Sequence, residues 1–226
     1  MPITTCIFDA YGTLFDVAAA TRNAATEPDF TALADHWPAV ARDWRLKQLQ
    51  YTWLRATADR HANFEQVTAD GLDWALEKNS LDGDPLLRER LLALYWELDA
   101  YPEVPEVLAT LTERGLTCAI LSNGTPDMIA AAARSAGIDG FLAAQLSVES
   151  VGVYKPHARV YELVETHLGC ARDEVLFVSS NGWDAAGAAG FGFQTAWINR
   201  ADEPQDRLYA APRHTFASLT PLLELV

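Results

Sequence analysis

The chain of 226 residues contains only three cysteines, at positions 6, 118 and 170, which lie far apart in the sequence. An odd and scattered set of cysteines does not make a disulfide framework, so a reducing compartment is indicated. Half of the residues are hydrophobic, yet there is no run of about 18 apolar residues, and no membrane-spanning helix is expected. The first residues, "MPITTCIFDA", lack the charged and then apolar layout of a secretory signal. We therefore expect a cytoplasmic globular protein.

Basic residues are also scarce, with 17 Lys and Arg against 31 Asp and Glu, a formal net charge of −14. Such a surface repels nucleic acid and anionic membranes, so neither is expected as a partner. An anionic ligand would need a few local cations in a sheltered pocket. The five histidines do not form a ligand cluster, and no cysteine pair has the spacing of a zinc site, so no metal site is predicted.

Short β-rich segments recur along the chain and alternate with helical patterns. The strand candidates are "TTCIFDAY", "TCAILSN", "EVLFVSSN" and "QTAWINR"; the helix candidates between them are "PEVLATLTERG", "TPDMIAAAARSAG" and "PHARVYELVETHLG". This alternation predicts an α/β, doubly wound core with a parallel sheet. Ligands bind outside the carboxyl ends of the strands in such sheets. Asp9, Ser122 and Ser179 each stand at a strand end and are expected to converge.

Residues 16–98 interrupt this alternation. The stretches "WPAVARDWRLKQLQYTWLRATADRH", "TADGLDWALEKNSL" and "PLLRERLLALYWEL" are helical in pattern, with no strand signal near them. We expect a helical-bundle cap subdomain over 16–98, inserted into a discontinuous core formed by 1–15 and 99–226. A cap that closes over a strand-end pocket would exclude water and shape specificity.

Three short motifs place polar side chains at these strand ends, and each allows a structural and a functional interpretation. Asp9 can cap a turn, or it can act as a nucleophile. Ser122 and Asn123 can cap the following helix, or they can hold an anion at its N-terminus. Lys155 can be solvated, or it can hold a carboxylate ionised beside the stiff Pro156.

The densest motif is "VSSNGWDAAGAAGFG", with Ser179, Ser180, Asn181, Trp183 and Asp184 directly after a β-rich run. Five polar or aromatic side chains within six residues favour a functional site over a simply capped helix.

Arg45 is unusual because it shares a helix face with Leu49 and Trp53. A charge on an apolar stripe either extends to solvent or meets an anion, and spacing alone leaves both interpretations open.

The motifs "FDAYGTLFD", "LSNG", "VYKP" and "VSSNGWD", in this order, resemble those of the haloacid dehalogenase superfamily. Together with the cap stretch "WRLKQLQYTWLR", they look like its L-2-haloacid dehalogenases, over nearly the whole chain. The resemblance implies a Rossmann-like core with a cap, and hydrolysis of short-chain 2-haloalkanoic acids to 2-hydroxy acids with inversion. It implies an ester intermediate on Asp9, no metal or other cofactor, and a homodimer formed through the cap helices.

The resemblance also implies a role for each matching residue, with Asp9 as the nucleophile. Thr13, Lys155 and Ser179 match its positioning partners, and Ser122 and Asn123, with main-chain amides near Ala10 and Tyr11, match the site of the substrate carboxylate. Arg45, Asn181 and Trp183 match the halide site, and Asp184, with Lys155 and Asn181, matches the group that orients the hydrolytic water. Tyr161 matches a support near the lysine, and Tyr11, Leu49, Phe64 and Trp183 match an apolar wall. Leu46 departs from the pattern, because relatives commonly have Gln there.

The sequence leaves three alternative functions open. The first is a metal-dependent phosphatase of the same fold. Phosphatases of the superfamily carry a second acid, for the leaving group, at the position of Tyr11, and further acids for Mg²⁺ where this chain has Ser179-Ser180-Asn181. A halide leaves without a proton, so these substitutions are coherent with dehalogenation and make a phosphatase less favoured. The second interpretation is the same dehalogenation chemistry specialised for fluoroacetate, and the third is a non-catalytic binding member of the fold.

Overall fold

The computed structural model describes residues 2–226 and contains one parallel sheet of six strands in the order β3-β2-β1-β4-β5-β6. The strands are β1 (Thr5–Phe8), β2 (Thr117–Ser122), β3 (Ala144–Ser147), β4 (Val175–Ser179), β5 (Gln194–Ile198) and β6 (His214–Phe216). Helices lie between the successive strands from β1 to β5, and a segment without a helix joins β5 to β6. The predicted doubly wound α/β class is confirmed.

Two of these strands, β3 and β6, have no counterpart among the predicted segments. They read "AQLS" and "HTF", and they form the two edges of the sheet. Edge strands are short and only partly covered, so they need few apolar side chains. The hydrophobic pattern that marks the central strands is therefore absent from both.

Eight α-helices accompany the sheet in the described part of the chain. They are α1 (Ala19–Ala24), α2 (Trp37–Thr57), α3 (Phe64–Lys78), α4 (Pro85–Tyr95), α5 (Val104–Glu113), α6 (Pro126–Ser135), α7 (Ala158–Leu168) and α8 (Gly182–Phe191). The first four follow one another between β1 and β2, within the range predicted for a cap, and α2 packs along α3.

Local capping fixes where several of these helices begin. The side chain of Asn63 accepts the N–H of Gln66 before α3, and Thr125 accepts that of Met128 before α6. Asp84 accepts two backbone N–H groups at the start of α4, where Pro85 occupies the first turn. These contacts satisfy donors that a helix N-terminus leaves free.

Strand β1 lies at the centre of the sheet, between β2 and β4, and all four of its residues are buried. Cys6 of β1 and Cys118 of β2 are register partners, and both are buried free thiols. Burial raises the pKa of Cys118 to about 12 and raises that of Cys6 further, so both stay protonated and pack as small apolar groups. Within residues 2–226, no helix is long and apolar enough to cross a membrane.

Helix α8 approaches α7 closely at Gly187. A Cβ atom at this position would lie 2.5 Å from the Tyr161 hydroxyl and 2.7 Å from Cβ of Pro156. The small residues that the sequence shows after Asp184 are therefore required by packing at this point.

We expect Gly187→Ala to lower the free energy of unfolding by about 2 kcal/mol, measured by urea denaturation. Overpacking usually costs about 1–3 kcal/mol, and the two short contacts place this site near the upper end of that range. This cost exceeds the gain of about 1 kcal/mol from replacing a helical glycine with alanine. Gly140→Ala is the control, because a Cβ there meets no atom within 4 Å. A Gly187→Ala variant as stable as the wild type would contradict this packing.

Candidate active site

Asp9 directly follows the central strand β1, and its carboxylate is almost fully buried. Three side chains donate hydrogen bonds to it. Lys155 Nζ lies 3.0 Å from Oδ1, while Thr13 Oγ1 and Asn181 Nδ2 lie 2.8 and 2.9 Å from Oδ2. A carboxylate with three donors from three separate segments is held in one orientation.

A tight turn after Asp9 returns the chain over its carboxylate. The carbonyl of Ala10 accepts the N–H groups of Thr13, Leu14 and Phe15. Gly12, with φ of +93°, adopts the left-handed backbone that this turn requires. The backbone of Ala10 and Tyr11 therefore forms part of the turn that directly follows Asp9.

Lys155 is buried between two carboxylates, and its Nζ lies 2.9 Å from Oδ2 of Asp184 as well as 3.0 Å from Asp9. The peptide bond between Lys155 and Pro156 is cis. Tyr161 of α7 donates its hydroxyl to Oδ1 of Asp184 at 2.7 Å. Asp184 therefore has one oxygen on the lysine and the other on the tyrosine.

The pKa values in this cluster reflect one cation shared by two anions. Burial lowers the pKa of Lys155, but Asp184 and Asp9 outweigh it and raise this pKa above its ordinary value. Burial raises the pKa of Asp184, and Lys155 offsets the effect only in part. Burial and the neighbouring Asp184 raise the pKa of Tyr161 well above its ordinary value, so it remains a hydroxyl donor.

Ser122 and Asn123 end strand β2 beside this cluster, ahead of α6. The Ser122 hydroxyl is buried and accepts the N–H of Gly124 at 3.0 Å, which leaves its own proton available to a ligand. Asn123 Oδ1 accepts the backbone N–H of Lys155 at 3.1 Å. Asn123 therefore positions the lysine segment in addition to standing at the predicted carboxylate site.

Arg45 reaches this site from helix α2. Its Nη2 donates to the Tyr11 carbonyl at 3.0 Å and to Asn181 Oδ1 at 3.2 Å. The Asn181 amide thus contacts Asp9 through its nitrogen and Arg45 through its oxygen. A cavity of about 600 Å³ opens on this side, and Arg45, Leu49, Asn181 and Trp183 are among its lining residues.

An aromatic cluster forms the apolar side of the site. The ring of Tyr11 lies 5.3 Å from that of Tyr95 and 5.4 Å from that of Phe64. Trp183 meets the ring of Trp53 edge-on, with centroids 5.3 Å apart. The position where phosphatases of the superfamily carry a second acid is therefore filled by a buried ring.

The structure joins Asp9, Thr13, Lys155, Asn181 and Asp184 in one hydrogen-bonded network. Ser179, predicted as a positioning partner of Asp9, accepts the N–H of Asn181 with its hydroxyl at 3.1 Å, and Asn181 in turn contacts Asp9.

Two further residues of the site, Gln48 and Tyr95, were missed by the sequence analysis and stand behind Arg45. Ser180, which the sequence places in the last motif without a specific role, donates its N–H to Thr13 Oγ1 at 2.7 Å. The spacing of Gln48, three residues after Arg45 on one helix face, is the signal that could have identified it.

The side chains of this site do not fit a divalent cation of the kind that superfamily phosphatases bind. Mg²⁺ is held by carboxylates and other oxygen ligands. Here the Lys155 ammonium stands between Asp9 and Asp184, and the last motif has the neutral residues Ser179-Ser180-Asn181 before Asp184. Among residues 2–226, no three His, Cys, Asp or Glu side chains are grouped to hold a metal ion.

Comparison with known proteins agrees with this geometry. Residues 3–192 match the family model of haloacid dehalogenase-like hydrolases. (S)-2-haloacid dehalogenase 1 of Pseudomonas sp. (strain CBS-3) is 42% identical over 225 residues, which are 100% of this chain and 97% of that protein. The (S)-2-haloacid dehalogenase of Pseudomonas sp. (strain YL) is 44% identical over 219 residues, 96% of this chain and 92% of its own length.

A solved structure extends the likeness to three dimensions. L-2-haloacid dehalogenase from Xanthobacter autotrophicus, with chloropropionic acid covalently bound, is similar with a TM-score of 0.88 at 36% identity. The match covers 99% of this chain and 98% of that one. The chain belongs to the haloacid dehalogenase-like hydrolase family.

Proposed function

We propose that the protein is an (S)-2-haloacid dehalogenase. It hydrolyses short-chain 2-haloalkanoates to 2-hydroxy acids of inverted configuration, with release of halide and a proton. The observation that carries this function is the Asn181 amide, which links a buried carboxylate, Asp9, to a guanidinium, Arg45. The likeness to a dehalogenase structure with chloropropionic acid covalently bound supports the same chemistry.

In the first step, an Asp9 oxygen attacks the halogen-bearing α-carbon. The new carbon–oxygen bond forms as the carbon–halogen bond breaks, and the halide departs with the electron pair from the opposite face. Arg45 and the Asn181 and Trp183 side chains receive the halide. The substrate carboxylate lies against Ser122, Asn123 and the backbone amides near Ala10 and Tyr11, because fixed donors there offset its charge.

In the second step, water attacks the ester carbonyl carbon of Asp9. The bond between this carbon and the ester oxygen breaks, and that oxygen, which came from Asp9, stays on the α-carbon and takes one proton of the water to become the product hydroxyl. The oxygen of the water remains in the restored Asp9 carboxylate, and the second proton of the water is released. Asp184, Lys155 and Asn181 surround this side of Asp9 and orient the water. Lys155 stabilises the negative charge that develops on the carbonyl oxygen.

The helices from residue 16 to 98 act as the cap of this site. Support comes from Arg45 and Leu49, which α2 places at the cavity beside Asn181. Closure of these helices over the strand ends would exclude water during the first step. The protein works in the cytoplasm, a location supported by its three free cysteines.

The protein forms a homodimer through its cap helices. An open groove of about 440 Å³ runs along this surface, lined by Tyr51, Leu54, Arg55, Asp70 and Asp73. Tyr51 and Leu54, which is 57% exposed, form the apolar part of this groove, and the ion pair between Arg55 and Asp70 also lines it. An exposed apolar patch rimmed by charged residues marks an interaction site.

We expect Asp9→Asn to reduce halide release from L-2-chloropropionate by at least about 1,000-fold, because the amide is a poor nucleophile. Wild-type activity should be unchanged by EDTA, and a single turnover in ¹⁸O-water should place the heavy oxygen in Asp9. Asp139→Asn, at an exposed position of a short 3-10 helix (Asp139–Phe141), is the matched control and should keep full activity. Label found only in the product hydroxyl would contradict the ester mechanism.

We expect Lys155→Met to lower the free energy of unfolding by about 3 kcal/mol at pH 8, since it leaves two buried carboxylates without a counter-charge. The loss should shrink towards pH 5. Burial already raises the pKa of Asp184, and without Lys155 the folded state takes up a proton as the pH falls.

The measurement is urea denaturation of variant and wild type at both pH values. The double variant Lys155→Met/Asp184→Asn has one buried carboxylate fewer and should regain stability at pH 8. Equal losses at both pH values for Lys155→Met would speak against the shared-cation arrangement.

We expect Leu54→Glu to convert the dimer to monomers, because a charge would be buried in the cap interface. Light scattering coupled to size-exclusion chromatography measures the mass. Leu208→Glu, at a leucine that is 48% exposed in the C-terminal segment, should remain dimeric. A monomeric wild type would refute the proposed interface.

A further inference from the structure

The guanidinium of Arg45 is held from two sides. The core supplies the Tyr11 carbonyl and Asn181 Oδ1, both bound to Nη2. Helix α2 supplies Gln48, whose Oε1 accepts from Nη1 at 2.8 Å. Arginine loses considerable rotamer freedom when it is fixed, so a second anchor on its own helix determines where the charge points.

Gln48 is itself buried, with 1% of its surface exposed, and both ends of its amide are occupied. Nε2 donates to Thr68 Oγ1 at 2.8 Å. The Tyr95 hydroxyl lies 2.9 Å from Nε2 and 3.1 Å from Oε1. The amide therefore cannot turn without losing hydrogen bonds in a buried place, which is costly.

The direction of this amide is set by helix α3. Thr68 donates its hydroxyl proton to the Phe64 carbonyl at 2.7 Å, so its oxygen is left as an acceptor for Gln48. Nε2 must then face Thr68, and Oε1 must face Arg45. The reverse orientation would set the NH₂ group against the guanidinium, donor against donor.

Close packing of the two helices brings these groups within reach. A Cβ at Gly71 of α3 would lie 3.1 Å from the backbone N of Gln48 and 3.4 Å from Trp44 Cδ1. Trp44 Nε1 also donates to the Thr68 carbonyl at 2.8 Å. Helix α3 therefore fixes Gln48 through both backbone contact and hydrogen bonds.

We propose that Gln48 is a positioning residue that directs Arg45 towards the departing halide. This rests on the proposed function. A neutral acceptor suits the role, because it orients the guanidinium without neutralising it. Glutamate at the same place would pair with Arg45 and compete with the halide for its charge. Arg45 therefore retains its full positive charge to stabilise the halide as the carbon–halogen bond breaks.

The experiment measures halide release in the first turnover, by rapid mixing, from L-2-chloropropionate and L-2-bromopropionate. This phase reports carbon–halogen cleavage alone. For Gln48→Met we expect a rate about 30-fold lower with the chloro acid and about 5-fold lower with the bromo acid, with little change in KM. Chloride is the poorer leaving group and depends more on Arg45, so the bromo-to-chloro rate ratio rises. For Gln48→Glu we expect the bromo-to-chloro rate ratio to rise by an equal or larger factor. Bromide ion should inhibit this variant about 10-fold more weakly than it inhibits the wild type.

Gln50→Met is the matched control, since Gln50 lies on the same helix and accepts from Lys47 at 2.7 Å. It should leave both rates unchanged. Tyr95→Phe keeps the ring and removes one partner of Gln48, so it should raise the ratio by a smaller factor, and it tests the idea if Gln48→Met does not fold.

The outcomes separate the two proposals. A wild type that releases halide from neither acid overturns the proposed function itself. An active wild type whose variants lose both rates by the same factor overturns only the positioning role, because general loosening of the cap would act on both substrates alike.

Discussion

The site depends on one buried ammonium group shared between two carboxylates. Lys155 contacts Asp9 and Asp184 at 3.0 and 2.9 Å, and all three side chains are buried. Neither carboxylate could stand there alone at neutral pH without a large desolvation cost. Neighbouring contacts hold this group in place. Asn123 Oδ1 accepts the backbone N–H of Lys155, and the Tyr161 hydroxyl donates to the Asp184 oxygen that Lys155 does not contact.

A second cation, Arg45, is arranged by the opposite principle. Lys155 lies against anions of the protein itself, whereas the three hydrogen-bond acceptors of Arg45 are a carbonyl and two amide oxygens, all neutral. One positive charge is therefore neutralised within the fold, and the other is oriented and left for a ligand. This contrast explains how a chain with a net charge of −14 can attract a small anion to one particular spot.

The sequence alone supports much of this structure. Strands β1, β2, β4 and β5 were predicted because they are buried on both faces and read as apolar runs. The polar residues after β1, β2 and β4 were predicted to meet because parallel strands end at one edge. Edge strands β3 and β6 carry no such pattern. The contact of Ser180 with Thr13 and the role of Gln48 beside Thr68 were not predicted, because both arise between segments that are distant in sequence. The register that creates those contacts is visible only in three dimensions.

The position of β1 has a consequence for how the chain acquires its shape. Of the six strands, the first in chain order is the central one, and its register pairs Thr5 with Thr117 on one side and with Val175 on the other. Its neighbours emerge from the ribosome only after the helices α1 to α4, which can pack locally by themselves. Contacts of such long sequence separation slow folding. Asp9 therefore lies at the end of an apolar strand that stays unpaired until β2 and β4 exist, and unpaired strand edges expose a folding chain to aggregation.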